Sequence, residues 1–377
     1  MTNKILVWGA MPWEQDGGAV VTYYQFQEMN YMNPMFEIHA IPKIWEQISQ
    51  KSIPMVHFHK VKTEYFGQIP NEIPKIMKNN GISSLILWHI PWEYFPIIDK
   101  IHRIGGKVIN WQTVHWKNDM LFLSDRLKDF DWWVPPTEYA NQVIQEVAGL
   151  SNNLTVIPHG VNTQLFFPHK TDINNKGLKT ILFTGRCQLT KGIVPLMMIA
   201  RKFVDRFNCR IIFKAGVHEG VYKSKEIGHL LTQMSQRDSR ILFIPQWTSP
   251  AFHEDLIASS DIIVCPSGHE GFSLTPLEGM ACSKPVVVSD IPVHRELIGG
   301  RNGECGLLLP TSIPTEYVND TQIVKVPDAD MLYGSLKYLL ENPDESEHMG
   351  EVGLKRAREV YDLRKICCKW FDLLEKF

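Results

Sequence analysis

The chain has 377 residues, of which 44% are hydrophobic, and it carries 39 basic against 41 acidic side chains. That length exceeds one typical domain and implies two. The balanced charge excludes a nucleic-acid footprint and gives no support to peripheral contact with an anionic membrane. No run of about 18 apolar residues occurs, so no membrane span is expected. The apolar start MTNKILVWGA is too short and too early for a secretory signal.

The first half opens on a strand, KILVWG (4–9), followed by Gly17, Gly18 and the helical stretch AVVTYYQFQEM. A glycine loop at a helix start suits a phosphate or a bound sugar, and equally serves as a plain strand-to-helix turn. No G-x-G-x-x-G follows this strand, which excludes a dinucleotide fingerprint. FEIHAIP, SSLILWHI and KVINWQ read as further strands, and TEYANQVIQEVAG reads as a helix. His115 comes just after KVINWQ, at the carboxyl end of a strand. Trp13, Trp45, Trp88, Trp92, Trp111 and Trp116 suit stacking on sugar rings or burial in a core. A strand ends at Pro158, and the stretch 169–179 is polar. A linker is placed there, dividing the chain into 1–168 and 169–360.

The second half has a clear rhythm. TILFTG, RIIFKAG, RILFIP, DIIVCPS, PVVVSD and GLLLP are short apolar runs, each ending in a breaker, with helical stretches between them. Continuous apolar strands alternating with helices predict a parallel sheet covered on both faces. The expected architecture is therefore α/β: two doubly wound Rossmann-like domains facing a central cleft, the default ligand site. Several of the seven cysteines sit inside these apolar runs. Their odd number and lack of metal-type spacing predict reduced, buried thiols in a cytoplasmic protein.

Two places carry chemistry. Arg186 and Lys191 follow the strand TILFTG and can both reach one diphosphate, although a solvated loop pair has the same spacing. The second place is HEGFSLTPLEGMAC (269–282). Thr275 suits an N-cap, Pro276 the first helical position, and Glu278 the acid of a capping box. The loop before this helix follows the strand DIIVCPS at its carboxyl end, where open α/β sheets bind ligands. A helix N-terminus there favours a phosphate, and Gly271 lets backbone approach it. Carboxylates repel phosphate, so Glu270 and Glu278 would accept from hydroxyl groups. A sugar and a ribose joined by a diphosphate supply all of these partners.

HEGFSLTPLEGMACSKPVVVSDIPVHRELI resembles the donor-binding signature of retaining GT-B glycosyltransferases of family 4, in which two glutamates are separated by seven residues. FTGRCQLTKGI resembles that family's Gly-Arg…Lys-Gly element, and VIPHGVNTQLFFP its domain-junction segment. QDGGAVVTYY and TVHW resemble the N-terminal glycine loop and the Thr-Val-His turn. His159, Asn162, Ser273 and Trp116 depart from the family's usual residues.

The resemblance implies a retaining glycosyltransferase that takes a UDP- or GDP-sugar and a saccharide or glycolipid acceptor. It implies that Glu270 and His115 lie at the transferred sugar. It places Gly17 and Gly18, with the backbone of Phe272, Ser273 and Leu274, at sugar and phosphate, and Arg186 and Lys191 at the diphosphate. Glu278 would hold the ribose while capping its helix, and His269 is structural. With two cations at the diphosphate and no Asp-x-Asp, no metal or cofactor is expected. The resemblance also implies that the amphipathic segment 361–377 returns to the first domain. The readings set against it are a GT-B epimerase or phosphorylase, and a binder of nucleotide sugars without catalysis.

Overall fold

The computed structural model describes residues 4–9, 17–42, 56–59, 61, 71–88, 95–114, 126–171, 173, 177–246, 248–300, 304–319 and 322–377. The chain forms two compact units, residues 1–162 with 361–377, and residues 163–360.

Unit 1 holds a six-stranded sheet in the order β3-β2-β1-β4-β5-β6, with every neighbouring pair parallel. Its strands are β1 (Lys4–Gly9), β2 (Glu37–Pro42), β3 (Val56–Phe58), β4 (Ser84–Trp88), β5 (Lys107–Trp111) and β6 (Trp132–Val134). All of β4 is buried, as a strand covered on both faces must be. Its helices are α1 (Gly17–Met32), α2 (Ile73–Asn80), α3 (Phe95–Arg103) and α4 (Glu138–Ala148). Leu85, Leu87 and Val108 pack with Ile98, Ile101 and Ile144 into one core. Helix α4 starts where its sequence says: Thr137 accepts from Ala140 N at 3.1 Å, and left-handed Gly149 ends it.

Unit 2 holds a second six-stranded parallel sheet, in the order β12-β11-β10-β7-β8-β9. The strands are β7 (Lys179–Arg186), β8 (Cys209–Gly216), β9 (Ile241–Ile244), β10 (Ile262–Cys265), β11 (Val286–Ser289) and β12 (Gly306–Leu309). Helices α5 (Ile193–Arg206), α6 (Ser224–Arg237), α7 (Pro250–Ala258), α8 (Leu274–Ala281) and α9 (Pro292–Leu297) alternate with them. Helices α10 (Ala329–Glu341) and α11 (Pro343–Val360) follow. The strand order runs one way from β7 and the other way from β10. These two strands are hydrogen-bonded neighbours, so the switch point of the sheet lies between them. An antiparallel hairpin, β13 (Ile313–Asn319) and β14 (Gln322–Val326), was not anticipated from the sequence.

The last helix, α12 (Leu363–Leu374), belongs to unit 1. Leu363, Ile366, Trp370, Leu373 and Leu374 form its buried face. Trp370 packs edge-on to Trp111 with centroids 4.9 Å apart, Phe371 meets Phe36, and Arg364 binds Glu28 at 2.7 Å. Val161 N donates to Tyr361 O at 2.8 Å, and Leu363 N to Val161 O at 3.0 Å. These bonds keep the chain with unit 1 as far as Asn162, whereas Phe166 already packs on His253 of unit 2. The division therefore falls ahead of the expected boundary at 168.

Trp88 and Trp111 are core residues in edge contact with one another, not an exposed stacking platform. The other tryptophans singled out from the sequence lie outside the described residues. All seven cysteines are free thiols; six are buried, and Cys368 is exposed. Among the described residues no helix is long and apolar enough to cross a membrane.

Candidate active site

The switch point of unit 2 gathers most of the residues expected at the donor. Strand β7 ends at Arg186, and a short 3-10 turn, Leu189–Lys191, follows it. Strand β10 ends at Cys265, and its loop carries Glu270 to the start of α8. The two loops are joined by backbone: Gly268 N donates to Thr190 O at 2.8 Å. They also touch at Gly192, whose φ is +68°. A Cβ there would lie 2.0 Å from the Pro266 carbonyl oxygen, so only glycine fits.

This join sets Lys191 against Glu270. Lys191 Nζ donates to Glu270 Oε1 at 2.7 Å, and the carboxylate is almost wholly buried. Burial pushes the Glu270 carboxyl up. The Lys191 charge and hydrogen bond, with a hydrogen bond from Ser267, more than offset this and hold it below the usual glutamate value. Glu270 is thus an ionised acceptor. Arg186 is exposed and does not join this pair. It lies near His218, whose imidazole is held below its ordinary value by burial and further by the Arg186 charge.

Helix α8 begins two residues earlier than expected, at Leu274, with Ser273 in the N-cap position and no side-chain cap. The expected cap by Thr275 and capping box by Glu278 are therefore not formed. The Thr275 hydroxyl lies 3.2 Å from that of Thr184. Glu278, in the second turn, accepts instead from His253 Nε2 at 3.0 Å. Lys214 faces the same carboxylate; its ammonium is held below the ordinary lysine value by burial, which Glu278 partly opposes.

The Ser273 hydroxyl is turned the other way, to His294 Nε2 at 2.8 Å. His294 is fully buried in α9, and its Nδ1 lies 2.9 Å from the Ser289 carbonyl. A carbonyl only accepts, so Nδ1 carries the proton and Nε2 accepts from Ser273. Ser289 donates in turn to the Ser267 carbonyl. Burial lowers the His294 pKa to about 4, so the ring is neutral. His253 and His294 were missed because each stands alone in an ordinary helical stretch. The one available signal was that SDIPVHREL places a histidine just after a strand's carboxyl end.

The remaining expected residues stand elsewhere. Phe272 and Leu274 flank the N-cap and are half-buried, and His269 is half-buried ahead of Glu270. Gly17 and Gly18 form the first turn of α1 in unit 1, rather than a loop before it. His115 lies outside the described residues. What unit 2 assembles is a partly buried cation, a helix start with uncapped N–H groups, and two carboxylates poised to accept. Such a set can bind an anion at its centre and hydroxyl groups at its edges.

Comparison with known proteins fits this geometry. The chain is 22% identical over 340 residues to the alpha-maltose-1-phosphate synthase of Mycolicibacterium smegmatis, covering 85% of this chain and 79% of that protein. A glycosyltransferase from Rickettsia africae superposes with a TM-score of 0.78 at 16% identity, covering 100% of this chain and 98% of that one. Anabaena HepE, solved in complex with UDP, superposes with a TM-score of 0.74 at 14% identity over 100% of both chains. These likenesses give both units the GT-B fold. Residues 168–356, half of the chain, match the family described as glycosyl transferases group 1, and the chain belongs to that family.

Proposed function

We propose that this glycosyltransferase moves a sugar from a nucleoside-diphosphate sugar to a saccharide or glycolipid hydroxyl, with retention of anomeric configuration and without a metal. The observation that carries this reading is the Lys191–Glu270 pair beside the uncapped start of α8. In transfer, the acceptor oxygen bonds to the anomeric carbon as the bond from that carbon to the phosphate oxygen breaks. The electron pair leaves with the phosphate, which takes the acceptor's proton on the same face of the sugar. Negative charge grows on the leaving diphosphate, where Lys191, Arg186 and the N–H groups of Phe272, Ser273 and Leu274 stabilise it. Glu270 accepts from hydroxyls of the transferred sugar, and Glu278 from the ribose. His115, Gly17 and Gly18 are assigned by the resemblance to sugar and phosphate. The UDP held by the Anabaena relative supports a uridine donor.

A cytoplasmic location accords with seven free thiols. The test is release of free nucleotide from a panel of UDP- and GDP-sugars in water, with and without EDTA. The expected result is slow release from one donor, unchanged by chelation. No turnover or binding of any nucleotide sugar would overturn the reading, and a requirement for Mg²⁺ or Mn²⁺ would overturn its metal-free part.

A further inference from the structure

The N-cap of α8 holds a serine that does not cap. Serine is among the preferred residues at this position because its oxygen accepts from the N–H groups of the first turn. Pro276, the third residue of α8, has no N–H, so Leu274 and Thr275 carry that turn's donors. In the structure Ser273 Oγ lies 2.8 Å from His294 Nε2 instead. His294 is itself fixed by its Nδ1–H bond to the Ser289 carbonyl and by complete burial. The hydroxyl of Ser289 ties the same strand end to the Ser267 carbonyl, three residues ahead of Glu270.

We propose that His294 is a positioning residue for donor binding: it draws the Ser273 hydroxyl away from its own helix and so leaves the α8 N–H groups free for the donor's diphosphate. This role rests on the transferase reading given above. Withdrawing the Nε2 acceptor frees Ser273 to cap α8, and the serine then competes with the phosphate for the same donors. The His294 effect therefore runs through one hydroxyl and disappears when that hydroxyl is removed.

The test is UDP binding by calorimetry, with melting temperature as the check on folding. In His294→Asn the amide nitrogen replaces Nδ1–H toward Ser289, but Ser273 loses its strong acceptor and keeps only the weak contact to Cys265 Sγ at 3.7 Å. Its UDP affinity should fall about tenfold, as expected when one N–H bond to a charged oxygen is lost. Ser273→Ala should keep more affinity than His294→Asn. The double variant His294→Asn with Ser273→Ala should bind UDP more tightly than His294→Asn alone. A double variant no tighter than the single one would show that His294 serves packing only and would overturn the role. Should His294→Asn not fold, His294→Gln decides, since its amide oxygen replaces Nε2 as acceptor. A folded His294→Gln that loses about tenfold or more overturns the role, and one that binds more tightly than that supports it. Wild-type protein that binds neither UDP nor GDP overturns the transferase reading, and this role with it.

Discussion

Lys191 Nζ sits 2.7 Å from Glu270 Oε1, so the cation expected at the leaving phosphate is held by the carboxylate expected at the sugar. One contact therefore orders both loops of the switch point, and donor binding must share or break it. The Lys191–Glu270 pair is three-quarters or more buried on each side, which separates it from a surface ion pair, while Arg186 stays exposed.

Lys191→Ala should lower turnover roughly 10²-fold or more, as loss of a charge-stabilising donor does. It should also cost about 1–3 kcal/mol of stability, because a buried carboxylate loses its partner. Arg186→Ala should lower turnover to a similar degree with no measurable loss of stability, since Arg186 is exposed. Steady-state kinetics with the identified donor and urea denaturation check both. Wild-type turnover in either variant contradicts the assignment.

The two glutamates should separate kinetically. Glu270→Ala is expected to lower kcat more than it raises the donor KM. Glu278→Gln should raise the donor KM most, because its carboxylate is assigned to the ribose. His253 holds that carboxylate at 3.0 Å, so His253→Ala should also raise the donor KM, and by less. Glu278→Gln and His253→Ala act on one contact and should not add when combined. Additive effects would mean that His253 orients something other than Glu278.

Acid should loosen unit 2 through His294. Its pKa is lowered in the folded protein from 6.5 to about 4 by burial. Between those values the unfolded chain binds a proton that the folded chain does not, so stability falls as pH falls through that window. Below about 4 both states are protonated and the slope from this group ends. The shift corresponds to about 3 kcal/mol at most. Hydrogen exchange over 163–360 should show this slope in wild type and a shallower one in His294→Asn. Equal slopes would place the acid sensitivity elsewhere.

Trp370→Ala should cost about 3–5 kcal/mol, as large-to-small changes in a core do. Trp370 is fully buried against Trp111, within unit 1. Hydrogen exchange should lose protection in 1–162 first. Loss confined to 180–310 would contradict the packing of α12 on unit 1.

The strands that the sequence reveals are those long enough to be buried on both faces. SLILW and KTILFTGR show as apolar runs because no residue in their centres meets water. β3 and β6 escape because three residues give no period to read. The candidate donor residues are legible because strand ends, glycines and charges stand together in short motifs. Helix α8 is misplaced by two residues because Thr275, a good cap by type, contacts Thr184. That contact joins positions 91 residues apart, and no local pattern reports it. The partners His253 and His294 are hidden for the same reason: each meets its glutamate or serine only once the sheet has formed.

The placement of α12 fixes an order of events during synthesis. Unit 1 is not continuous along the chain: its residues 1–162 are made first, and residues 361–377 last. Trp111 and Phe36 therefore leave the ribosome some 250 residues or more before Trp370 and Phe371 arrive to cover them. Unit 2 is complete in sequence by Val360 and can close while unit 1 still waits with that apolar surface uncovered. A chain stalled or cleaved before 361 would carry a finished second unit and a sticky, incomplete first one.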